Sequence, residues 1–88
     1  MVGRYGGEEF LVVLPGIGLE TAVSVAERLR QYISEPRISH GENLIQVTAS
    51  FGVASIDEAR EEGPQGILAL ADERLYEAKR AGRNCVRP

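Results

Sequence analysis

Arg4-Tyr5-Gly6-Gly7-Glu8-Glu9-Phe10-Leu11-Val12-Val13-Leu14 is the stretch that decides the fold. Gly6-Gly7 is a turn signal, and the apolar run Phe10 to Leu14 behind it reads as a strand covered on both faces. With the short extended piece Met1 to Tyr5 before it, this predicts a β-hairpin with Glu8 at or beside its tip. Pro15-Gly16 ends the second strand.

Working outward, Ala22, Val25, Ala26, Leu29 and Ile33 recur at helical spacing, with Glu20, Glu27, Arg28 and Arg30 on other faces. A helix is predicted from Leu19 to Ser34, stopped by Pro36. Arg37 to Gln46 reads as a loop or small hairpin around His40-Gly41-Glu42-Asn43. Ile45, Val47, Ala49, Phe51 and Val53 then alternate with polar residues as a strand, where Gly52 signals a bend or a close backbone contact. Ile56 to Gly66 is a polar connection, and Asp57, Glu58, Glu61 and Glu62 read as a solvated loop. A second helix is expected from Pro64 to Ala81, with the stripe Ile67, Leu68, Ala71, Leu75 and Ala78 and a stop at Gly82. Asn84 to Arg87 completes the pattern as a short strand. The order β-β-α-β-α-β predicts an α+β fold, two helices packed on a mostly antiparallel sheet.

The composition is that of one soluble domain. Its 88 residues contain 43% hydrophobic and 26% charged residues, and the net charge is −3. A chain this short buries only about 60–65% of its unfolded surface, so a small core is expected. The acidic balance argues against a nucleic-acid partner. One cysteine, Cys85, excludes an internal disulfide, and no Cys/His cluster suits zinc. Without a long apolar run or a signal-peptide core, direct membrane contact is not expected and a cytoplasmic setting is the default.

Two constellations carry possible chemistry. In Gly6-Gly7-Glu8-Glu9, glycines without Cβ admit a bulky anion to backbone amides, and a carboxylate beside them suits Mg²⁺ held over phosphates. The same residues also suit a plain hairpin turn followed by two solvated acids. On the second helix Asp72, Tyr76, Lys79 and Arg83 fall on one stripe at i, i+4, i+7 and i+11. Lys79 and Arg83 could reach the outer phosphates of a nucleotide, or simply complement the helix dipole from a solvated edge. His40 reads as surface, Cys85 as a core or edge residue, and Ser50 lacks the partners of a nucleophile.

These residues resemble a known family. Arg4-Tyr5-Gly6-Gly7-Glu8-Glu9-Phe10 is similar to the defining hairpin of GGDEF domains. Val47-Thr48-Ala49-Ser50-Phe51-Gly52-Val53-Ala54 resembles a second family strand. Ala71-Asp72, Leu75-Tyr76-Glu77-Ala78-Lys79 and Gly82-Arg83-Asn84 resemble the family's last helix, and Ala26-Glu27-Arg28-Leu29-Arg30 its preceding one. Four motifs in the right order favour the functional reading of both constellations.

The resemblance implies a partial nucleotide-cyclase or palm-like (ferredoxin-like) fold and diguanylate cyclase activity, a nucleotidyl transfer in signalling. Two GTP molecules condense to cyclic di-GMP, across two facing protomers. By position Glu8 is the expected metal ligand and, with Glu9, a catalytic residue, Glu9 at the reacting ribose end. Gly6, Gly7, Lys79 and Arg83 are expected to bind substrate phosphates, while Asp72 and Tyr76 are mainly structural. Glu8 stands where the family name has Asp, a variant the motif admits.

Family members carry roughly as many residues again before this hairpin, with a metal-binding Asp, an Asn/Asp pair that reads guanine and a product-inhibition motif. Residues 1–88 are therefore expected to be a truncated GGDEF domain, inactive alone and weak in Mg²⁺ binding. A homodimer, swapped assembly or rearranged sheet is expected to protect Phe10 to Leu14. The rival expectation is a noncatalytic regulatory or interaction module on the same scaffold.

Overall fold

The computed structural model describes residues 2–4 and 9–88. Strands β1 (Val2–Arg4) and β2 (Phe10–Val12) pair antiparallel, with Val2 opposite Val12 and Arg4 opposite Phe10. Helix α1 (Leu19–Ser34) follows, then the antiparallel strands β3 (Arg37–His40) and β4 (Asn43–Gln46). Strand β5 (Phe51–Gly52), a single 3-10 turn (Ile56–Glu58), α2 (Gly63–Arg80) and β6 (Val86–Arg87) complete the chain. The architecture is mixed α+β, as the alternation of periods predicted.

Both helices form where their stripes and punctuation dictate. In α1 the stripe turns Ala26 inward, and the Glu35 amide closes the last turn on the Gln31 carbonyl before Pro36 intervenes. In α2 Pro64 occupies the first turn, where its missing N–H is no loss. At the other end Gly82, at φ 113°, lets the chain reverse. The Arg83 amide then bonds to the Ala78 carbonyl at 3.0 Å and the Gly82 amide to that of Lys79 at 3.4 Å, a Schellman stop.

Sheet organisation departs from expectation. One strand was expected across Ile45 to Val53, but β4 ends at Gln46 and turns back on β3, while β5 pairs in parallel with β6. Gly41, at φ 64°, makes the tight β3–β4 turn, and that local pairing takes Ile45 out of any longer strand. The β5–α2–β6 segment is a crossover unit, which imposes the parallel direction. The described strands thus form three two-stranded sheets.

Burial is sparse. Among the described residues only Ala26, Ala59 and Ala78 are buried. The expectation that Phe10 to Leu14 is covered on both faces is not met: Phe10 is 68% exposed, and Val12 and Val13 are exposed too. The reason is geometric, since two-stranded sheets with one helix layer leave apolar faces unmatched. The chain exposes 6533 Å², about 1,400 Å² more than a compact monomer of its mass.

The tightest packing joins β5 to α2. A Cβ on Gly52 would run into the backbone of α2, at the Ala71 carbonyl, the Leu75 amide and, at 2.9 Å, the Arg74 carbonyl carbon. The close backbone contact expected at Gly52 is therefore present.

Candidate functional site

Glu9 leads into β2 and Lys79 stands on the last turn of α2. Lys79 Nζ donates to Glu9 Oε2 at 3.2 Å across 70 residues of chain. The pair borders a cleft of about 240 Å³ whose other lining residues are Asp72, Leu75 and Tyr76. Positions 72, 76 and 79 come to one wall because helical spacing puts them on one face. Both charged side chains are about a third exposed, so the pair is only partly desolvated and remains open to an incoming ion.

Of the sequence-predicted site residues, the structure brings Glu9, Lys79, Asp72 and Tyr76 together around this cleft. Arg83 does not line it. That residue sits beyond the helix end at φ 65°, with its backbone amide used in the Schellman stop. Gly6, Gly7 and Glu8 lie outside the described residues. The Arg80 guanidinium lies over the Tyr76 ring, 5.7 Å from its centroid.

No group of three metal-ligating side chains occurs among the described residues, so these alone form no closed cage. Mg²⁺ does not need one: it takes one or two carboxylates and keeps water and phosphate oxygens. A partly exposed Glu9 carboxylate at a cleft, directly preceded in sequence by Glu8, fits that donor set.

Two polar networks position the cleft, and both escaped the sequence reading. Arg74 donates to the Val53 carbonyl at 2.8 Å and to both carboxylate oxygens of Glu58 at 2.7 and 2.8 Å. Glu58 Oε2 also accepts the Ser55 amide at 2.8 Å. The Arg74 hydrogen bonds hold the Glu58 carboxyl down to about 2 from its usual 4.5. Glu58 is thus a structural anchor, not one of four equivalent solvated acids.

In the second network Arg30 donates through Nε to Glu27 at 3.0 and 3.1 Å and through NH1 to Asn84 Oδ1 at 2.9 Å. Arg30 holds the Glu27 carboxyl below its ordinary range. The Asn84 amide donates to Ser50 Oγ at 3.0 Å. Ser50 therefore serves as an acceptor that ties the chain before β5 to the end of α2. The i, i+3 spacing of Glu27 and Arg30 signals their pairing; nothing in the sequence signals Asn84 as the distant partner of Arg30, or Arg74 as that of Glu58.

An α+β scaffold that brings Glu9, from a Gly-Gly-Glu-Glu sequence, and Lys79 to one cleft is of the nucleotidyl-cyclase type. The family model "Diguanylate cyclase, GGDEF domain" matches residues 1–85. This chain belongs to the GGDEF domain family. It is 42% identical over 85 residues to "Response regulator PleD" of Caulobacter vibrioides, covering 94% of this chain and 18% of that protein. To "Diguanylate cyclase A" of Treponema denticola it is 43% identical over 83 residues, covering 94% and 22%. To "Diguanylate cyclase VdcA" of Vibrio cholerae it is 38% identical over 88 residues, covering 97% and 25%. The chain spans about a fifth to a quarter of the length of these relatives. No helix among the described residues is long and apolar enough to cross a membrane.

Proposed function

We propose that residues 1–88 are the C-terminal, phosphate-binding part of a diguanylate cyclase catalytic domain, working in the cytoplasm. The reaction joins two GTP molecules: each 3′-hydroxyl attacks the α-phosphate of the other nucleotide, two pyrophosphates leave, and cyclic di-GMP results. The observation that carries this reading is the contact between Glu9, from the hairpin, and Lys79, from the last turn of α2, at a shared cleft.

In this reading Lys79 meets the outer phosphates as a point charge inside the cleft, Arg83 reaches them as a planar fork from beyond the helix end, outside the cleft lining, and Gly6 and Gly7 allow the phosphates close to the backbone. Glu8 holds Mg²⁺, which when bound with the nucleotide supplies charge neutralisation at the phosphates. Glu9 stands at the reacting ribose end and orients the hydroxyl. Two protomers, each carrying one GTP, face each other.

A polar contact to a charged group contributes about 1.5–3 kcal/mol, so a chain lacking guanine contacts and a second metal carboxylate loses many powers of ten in rate. Residues 1–88 alone are expected to be inactive. A second reading, a noncatalytic interaction module, is favoured by the large exposed apolar surface.

The test supplies GTP and Mg²⁺ to the 88-residue chain and to the same chain fused behind the first half of the GGDEF domain of Diguanylate cyclase A. Product is followed by chromatography. The fusion should make cyclic di-GMP and the chain alone none. Product from the chain alone defeats the fragment reading, and a folded but inactive fusion favours the interaction module.

A further inference from the structure

We propose that Glu9 is the resident counter-ion of Lys79, which a phosphate must displace, so that an anion too weak to out-compete it at its working concentration leaves the site closed. The inference rests on the phosphate-binding reading above and gives Glu9 a task before any reaction begins.

Glu9 and Lys79 are 70 residues apart, so their 3.2 Å contact is a tertiary one and not an incidental pair along one helix. Leu75 and the Tyr76 ring wall the cleft, and Asp72 adds a second carboxylate to its lining. Any anion that enters meets Lys79 already paired with Glu9.

A tethered carboxylate competes as if present at about millimolar concentration or above. Small singly charged anions at lower concentration leave it in place. A terminal phosphate carries close to two negative charges and three acceptor oxygens, so it wins the ammonium group. The exchange also releases the Glu9 carboxylate when a polyphosphate arrives, and at no earlier time. A group assigned to the ribose end is thereby kept neutralised until substrate is present.

Calorimetry with inorganic phosphate and inorganic tripolyphosphate on the 88-residue chain, Glu9→Gln, Lys79→Gln and the double variant tests this, with circular dichroism confirming that each folds. Glu9→Gln should bind inorganic phosphate and inorganic tripolyphosphate each about tenfold more tightly, because one internal competitor is removed from both equilibria. Lys79→Gln should remove the gain whether or not Glu9 is present. If Glu9→Gln leaves both affinities unchanged or lowers them, the counter-ion role is overturned while the phosphate site stands. If no variant binds either anion, both readings fall. Independently of any ligand, the Lys79 side-chain NMR signals should move in Glu9→Gln; unmoved signals overturn the proposal.

Discussion

Glu58 and Arg74, 16 residues apart, meet in a two-pronged ion pair that fastens the turn after β5 to the middle of α2. Because Gly52 touches the α2 backbone within the same layer, this latch fixes the helix that carries Lys79.

The latch makes stability depend on acid. The Glu58 carboxyl titrates at about 2 in the folded chain against 4.5 ordinarily, so folding favours its ionised form. Its contribution is complete above about pH 4.5 and is lost as pH falls towards about 2. Glu58→Gln should cost about 1–2 kcal/mol near neutral pH and flatten this part of the acid profile. Urea unfolding of both chains across that range checks the slope.

Gly52→Ala should be the most damaging single methyl in the described fold. Its Cβ meets backbone on α2, which cannot rotate away as a side chain would. A loss of about 3 kcal/mol or more is expected, read as a lower urea midpoint; a loss under about 1 kcal/mol contradicts the close packing.

At the end of α2, Arg83 and Asn84 both hold positive φ, 65° and 49°. Asn tolerates this conformation and also accepts from Arg30, so Asn84→Ala should cost about 1–2 kcal/mol. Arg83→Gly should instead raise stability by up to about 1 kcal/mol while weakening tripolyphosphate binding. Thermal melts paired with calorimetry separate the two effects.

Exposed apolar surface should make the chain associate. Phe10 is 68% and Leu44 71% exposed, and the area above a compact monomer's exceeds the roughly 800 Å² that one partner buries in a standard interface. Sedimentation at rising concentration should show self-association, weakened by Phe10→Ser or Leu44→Ser. A monomer at all concentrations, with unchanged behaviour in both variants, goes against it.

The two helices were legible because a 3.6-residue apolar stripe bounded by Pro36, Pro64 and Gly82 leaves little choice of structure. The strand reading of Ile45 to Val53 was not, because alternation gives a strand's faces without naming its partner. Gly41 closes a local hairpin between β3 and β4, and Phe51 and Gly52 pair with β6 instead. At the site, Glu9 and Lys79 were each nameable from motif and spacing, while Arg83, on the same helical stripe by count, left that face once Gly82 ended the helix.

The amino-acid order by itself determined the helices, their stops and the set of charged residues available for chemistry, since these depend on near neighbours along the chain. Only the tertiary structure decided that Lys79 reaches Glu9, that Arg74 takes Glu58 from among four nearby acids, and that Asn84 bridges Arg30 and Ser50. Those pairings join residues 16 to 70 positions apart, and no local periodicity encodes which distant partner a side chain will meet.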